Sequence, residues 1–281
     1  MVMNLLLSGK NVLITGVGKN IGRSIALEMA EQGANIFFTE IDKERCSQLE
    51  TELNYYNVIS KGFLSDISKV ENIDSLYNYL LQNGIIIDIL VNNVGIEIDT
   101  KTILKFNWEE WIKVFDTNIF GPMYLIKLIS QMMIDNNNHG SIIFITSIHQ
   151  WMIRRYSSYS ASKAALGMII KELAIDLSPH NIRVNGIAPG YVREDENGKT
   201  IYNKHTPLYK SSINPCYIGR AAVYLASDYF SKFTTGTVIK IDAGLSLYNH
   251  VVDLIDLNRH SPKKIFRSII DWKKLSQGKT Q

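Results

Sequence analysis

Of the fourteen tyrosines in this 281-residue chain, only Tyr159 has a lysine four residues further on, Lys163. On a helix that spacing puts both side chains on one face, one turn apart. An ammonium so placed lowers the pKa of a phenol by favouring the phenolate, poising it for proton transfer nearer neutral pH. About one such pair is expected by chance in a chain this long, so its surroundings must carry the reading. Upstream, "FITSIHQ" closes a strand-like run with Ser147, whose hydroxyl can hold a carbonyl oxygen beside Tyr159. Asn118, in "DTNIFGP", is polar within an otherwise apolar helical face. A water or proton relay to Lys163 gives such a group a reason to be buried. Without the other three residues, a locally bonded asparagine would explain it as well.

The stretch "TGVGKNIG", 15–22, supplies a second kind of chemistry. It follows a strand-like run and opens the helix-like "IGRSIALEMAEQG", the context in which backbone N–H groups and a helix N-terminus meet an anion. Gly16, Gly18 and Gly22 fit T-G-x-x-x-G-x-G, with Asn20 in the middle glycine slot and Lys19 and Ile21 beside it. Asparagine is the non-glycine residue that most readily accepts a left-handed backbone, so the turn survives it. Glu40 lies about 20 residues beyond the loop, where a carboxylate accepts hydrogen bonds from a ribose diol and repels a 2′-phosphate. That favours NAD. Lys19 points toward NADP, and Glu40, at the usual discriminating position, outweighs it.

These groups need a frame. Apolar, often β-branched runs recur at 11–15, 35–39, 58–64, 88–93, 141–146, 182–188 and 237–242. All but the mixed "VISKGFL" are nearly continuous, as parallel strands covered on both faces are. Between them lie helical patterns, one with Trp108, Trp111, Ile112, Phe115 and Ile119 on a face after an Asn107 cap. Another places Ala161, Ala165, Met168, Ile169 and Leu173 together. Strand–helix alternation predicts a single doubly wound parallel sheet over residues 1–247, with helices on both faces. A basic extension, 248–281, follows with seven Lys or Arg against three Asp. Its "SPKKIFRSIIDWKKL" reads as a helix capped at Ser261, docked on its own domain or a sister subunit. A membrane-surface helix and a disordered tail are the alternatives.

Bulk composition narrows the classes. A net charge of +3 is too small to argue for nucleic acid. Cys46 and Cys216 form neither a metal motif nor a disulfide framework and read as small apolar side chains; no metal site is expected. The opening "MVMNLLLSGK" is too short an apolar run for a signal peptide or a membrane span, so the expectation is a cytoplasmic enzyme without membrane contact.

Over about residues 8–247 the chain resembles the classical short-chain dehydrogenases/reductases, a Rossmann-type α/β family. The resemblance rests on "TGVGKNIG", "DIS" at Asp66, "NNVG" at 92–95, Asn118, Ser147, "YSASK", "IAPGYV" and "TGTVIKIDAG", in the family's order. It implies Tyr159 as general acid/base, and Lys163 as the group that lowers its pKa and holds the nicotinamide ribose. Ser147 would orient the substrate oxygen and Asn118 hold a relay water. Gly16, Asn20, Ile21 and Gly22 would form the phosphate turn, Asp66 and Ile67 contact the adenine end, Asn93 a ribose, and Val192 the nicotinamide region. A homo-oligomer, tetramer or dimer, built through the helices carrying Asn118 and Tyr159, is also implied. Three departures stand out: Asn20 for glycine, Val94 for alanine, and Glu194 for a threonine near the carboxamide.

The resemblance makes the chain an NAD(P)-dependent oxidoreductase that interconverts a secondary alcohol and a ketone. The loop at 193–215, polar and rich in turn formers, suits a sugar- or polyol-like substrate under a lid. Arg154 or Arg155 can pair with an anionic or sugar-like group there, or both are solvated. A 3-oxoacyl-carrier-protein ketoreductase and a non-catalytic dinucleotide-binding regulatory protein are the competing readings.

Overall fold

A computed structural model describes residues 5–98 and 103–247. The expected tail helix lies outside the described residues. All seven apolar runs form strands: β1 (Asn11–Thr15), β2 (Asn35–Glu40), β3 (Ser60–Leu64), β4 (Ile89–Asn92), β5 (Ser141–Ile145), β6 (Arg183–Pro189) and β7 (Val238–Ile241). They make one parallel sheet in the order β3-β2-β1-β4-β5-β6-β7. The chain winds outward from β1 through β2 to β3, then restarts at β4 on the other side of β1. The crevice between the carboxyl ends of β1 and β4 is therefore the switch point, where ligands of such sheets bind.

Alternate strand residues enter two cores, one on each face. Val12, Ile14, Ile36 and Phe38 pack with α1 (Asn20–Glu31), α2 (Lys43–Leu53) and α7 (Cys216–Ala226). Leu13, Phe37, Leu90 and Phe144 pack with α3 (Val70–Gln82), α5 (Gly121–Asp135) and α6 (Ser157–Leu177). All but the mixed edge strand β3 carry nearly unbroken apolar runs because both faces are covered.

The Asn107 cap forms as expected, its Oδ1 accepting from Glu109 N–H at 2.8 Å, and opens α4 (Trp108–Phe115). One turn of π-helix, Asp116–Phe120, then joins α4 to α5. The wider turn shifts the helical phase, so the expected stripe does not stay on one face. Ile119 is buried, while Trp108 and Ile112 are exposed. The stripe expected on α6 meets the core only in part. Ala165, Ile169 and Leu173 are half-buried against it beside the fully buried Leu166, Ile170 and Ala174, whereas Ala161 and Met168 are open. Both sides of α6 are rich in apolar residues, so periodicity alone could not choose between them.

Candidate active site

The phosphate-type turn forms where the sequence places it. Gly16 and Asn20 take left-handed backbones, φ 69° and 52°. A Cβ on Gly22 would run into the Gly16 carbonyl oxygen and the Asn93 amide, so the turn closes only on glycine there. Val94 packs over Gly16, where a Cβ would sit only 3.1–3.3 Å from its atoms. Asn93 ties the ends of β1 and β4, donating from Nδ2 to the carbonyls of Thr15 at 3.0 Å and Gly16 at 2.6 Å. No side chain caps the N-terminus of α1 and its first turn holds no acid, which leaves an anion-seeking end facing the crevice.

From this turn a cavity of about 640 Å³ runs across the carboxyl end of the sheet to Ser147, Tyr159 and Lys163. Gly16, Lys19, Asn20, Ile21, Gly22, Glu40, Asp66, Ile67, Asn93 and Val192 also line it. Every expected site residue except Asn118 therefore reaches one cavity. The glycine cradle, the uncapped helix and an elongated cleft fit a dinucleotide. Gly121 brings the start of α5 against the Ile67 carbonyl, where any Cβ would collide. Asp66 closes its own turn, accepting from Ser68 N–H at 3.0 Å.

Asn118 stands one layer behind the wall. On the π-turn its Oδ1 accepts from Ile96 N–H at 2.8 Å and its Nδ2 donates to Ile96 O at 3.1 Å. The same Nδ2 donates to Ser162 Oγ at 2.9 Å, and Ser162 donates to Tyr159 O at 2.8 Å. One buried asparagine thus holds the loop after β4 and the helix that carries Tyr159.

Ser147 caps a short turn, its Oγ accepting from His149 N–H at 3.2 Å, and hydrogen-bonds the Tyr159 phenol. The His149 ring stands edge-on to Tyr159, centroids 5.0 Å apart, with Nδ1 3.1 Å from Ser160 Oγ. Burial, with Arg154 and Lys163 nearby, lowers the His149 pKa to about 4, so it is neutral at physiological pH. Lys163 is buried, donates to Ile145 O at 2.8 Å, and is lowered to about 8 by burial.

The phenol itself departs from expectation. Burial pushes Tyr159 up to about 12; the Ser147 hydrogen bond pulls it down and the Glu97 charge pushes it up. The lysine is turned onto the Ile145 carbonyl, 5.5 Å from the ring centroid, and burial dominates the phenol. Glu194 also differs from what its threonine-like slot implied. Its carboxylate accepts from Asn214 Nδ2 at 2.6 Å and lines a separate cleft of about 300 Å³ beside α1. Gly95, the end of the "NNVG" motif, also lines the main cavity, as does Arg45, which escaped sequence reading because no motif marks it.

The family described as "Enoyl-(Acyl carrier protein) reductase" matches residues 16–246. The chain is 31% identical over 253 residues to 3beta-hydroxysteroid dehydrogenase 1 of Eggerthella lenta, covering 86% of this chain and 95% of that one. It is 29% identical over 251 residues to glucose 1-dehydrogenase 2 of Bacillus subtilis, covering 86% and 96%. A 7 alpha-hydroxysteroid dehydrogenase structure, complexed with NADH and 7-oxo glycochenodeoxycholic acid, superposes with a TM-score of 0.77 at 28% identity over 86% of this chain and 96% of that one. The chain belongs to the short-chain dehydrogenase/reductase family. It is an NAD(P)-dependent oxidoreductase acting on CH–OH groups and the corresponding ketones. Among the described residues no helix is long and apolar enough to cross a membrane.

Proposed function

We propose that the chain interconverts a secondary alcohol and a ketone of a polar, sugar- or polyol-like substrate, using NAD in preference to NADP. The hydrogen-bonded Ser147–Tyr159 pair, at the far end of the cavity from the glycine turn, carries this reading. A bound nicotinamide supplies or accepts the hydride at the carbonyl carbon. Gly16, Lys19, Asn20, Ile21 and Gly22 hold the pyrophosphate, Glu40 the adenosine ribose, and Asp66 and Ile67 the adenine. Asn93 and Lys163 hold the other ribose, and Val192 the nicotinamide face.

Tyr159 gives a proton to the substrate oxygen during reduction, and Ser147 holds that oxygen in place. A phenol near 12 is fully protonated at neutral pH, which suits it to act as an acid. In the reverse direction Lys163, near 8, stabilises the phenolate, and a water bound beside Asn118 would carry the proton outward. Lys113 on the cavity wall, the Glu97 charge felt at Tyr159 and the glucose dehydrogenase relative support a polar substrate. The exposed apolar residues Trp108, Ile112 and Phe120, and Met168 and Ile175 on α6, support a homo-oligomer, tetramer or dimer.

A panel of sugars, polyols, steroids and acyl thioesters, assayed with both dinucleotides, tests the substrate class. The highest kcat/KM should fall on a polyol or sugar; an acyl thioester in that place overturns this part. Tyr159→Phe should lower kcat by about 10³-fold with the Kd for NADH unchanged. Activity kept within tenfold would remove the tyrosine from the chemistry.

A further inference from the structure

A hydrogen bond with Ser147 fixes the Tyr159 oxygen, but one bond at the tip leaves the plane and tilt of the ring free. Lys163 does not settle them, because its ammonium donates to the Ile145 carbonyl at 2.8 Å and stands 5.5 Å from the ring centroid. A reacting group misplaced by about 1 Å costs about 100-fold in rate, so the ring needs a wall.

His149 supplies that wall. Its ring meets Tyr159 edge-on, centroids 5.0 Å apart at 81°, an arrangement that aromatic pairs favour. Tyr156 packs against the same imidazole, centroids 5.9 Å apart. Two hydrogen bonds hold His149 in turn. Its N–H donates to Ser147 Oγ at 3.2 Å, and its Nδ1 is paired with Ser160 Oγ at 3.1 Å. Ser160 follows Tyr159 in the first turn of α6, so these contacts close a loop from Ser147 through His149, Ser160 and Tyr159 back to Ser147. The short turn that carries His149, Ile148–Gln150, lies directly on α6, where a Cβ on Gly167 would collide with the Gln150 amide. Burial keeps the imidazole neutral at physiological pH, so it brings no charge of its own to the phenol.

We propose that His149 is a positioning residue: its ring, locked to Ser160, holds the Tyr159 ring in the plane from which the phenol reaches a substrate oxygen beside Ser147. The inference rests on the role proposed for Tyr159 and adds the residue that aims it. His149 itself exchanges no proton.

Steady-state kinetics at saturating dinucleotide, on the panel compound with the highest kcat/KM, test this. His149→Phe keeps an aromatic edge and loses Nδ1. His149→Asn keeps a polar atom near the place of Nδ1 and loses the ring, and His149→Leu loses both. His149→Leu should lower kcat about 30-fold, with KM and the Kd for NADH within twofold of wild type, and the other two should each recover part of that loss. Ser160→Ala should lower kcat about threefold in wild type and no further in His149→Phe, where the bond it breaks is already gone. Thermal melts show that each variant is folded; should His149→Leu unfold, the Ser160 cycle decides alone. A kcat within twofold of wild type in His149→Leu overturns the positioning role and leaves Tyr159 as the acid. So does a KM that rises while kcat holds, or a Ser160→Ala loss that adds in full to that of His149→Phe. Tyr159→Phe as active as wild type overturns both.

Discussion

Lys163 shows how much a functional side chain can cost the fold. Its ammonium is buried with the Ile145 carbonyl as its hydrogen-bond acceptor, and burial brings its pKa from 10.5 to about 8. Between those values the unfolded chain binds a proton that the folded chain does not, so stability rises with pH across that window. Below pH 8 the folded state carries a buried charge. The stability advantage of Lys163→Met over wild type should therefore shrink by about 2 kcal/mol between pH 7 and pH 10. Chemical denaturation of both proteins at the two pH values measures it; parallel pH curves would mean that Lys163 is no more desolvated than a surface lysine. Tyr159 acts in the opposite sense above pH 10, where its raised pKa makes ionisation a loss for the folded state, and it does so in both proteins. The residue types were legible in the sequence, but the electrostatic outcome was not. Spacing tells that Tyr159 and Lys163 share a face, while the balance of burial against charge depends on where the lysine hydrogen-bonds.

At the scale of elements, legibility followed the number of solutions a pattern allows. A continuous β-branched run covered on both faces has one reading, and all six such runs are strands, as is the mixed run that forms β3. A helix apolar all round has two, and the side of α6 that packs on the core centres on Leu166, Ile170 and Ala174, with Ile169 and Leu173 at its edge and Met168 outside it. The π-turn at Asp116–Phe120 leaves no mark in "DTNIFGP", yet it turns Asn118 toward Ile96 and Ser162. Arg45 was equally unreadable, because its nearness to Gly18 comes from the packing of α2 beside the loop after β1. The open apolar side of α6 carries its own prediction. Wild type should run as a tetramer or dimer by light scattering, and Met168→Asp as a smaller species with an unchanged far-ultraviolet spectrum. A monomeric wild type would mean that this face is covered by something other than a second copy.

For the whole molecule, the sheet order explains why residues from so many segments meet. β1 and β4 diverge at the switch point, the glycine turn and Asn93 close its floor, and β5 and α6 bring Ser147, Tyr159 and Lys163 to the other end of one cavity. On the proposed function, this cavity is a dinucleotide site built on the turn at Gly22. Isothermal titration of NADH into wild type and into Gly22→Val, with melts to confirm folding, tests it most directly. One site per chain in wild type, weakened at least about 100-fold in the variant, is the predicted result, because a side chain there must displace the Gly16 carbonyl and the Asn93 amide. Undiminished binding by Gly22→Val, or none by folded wild type, would contradict it.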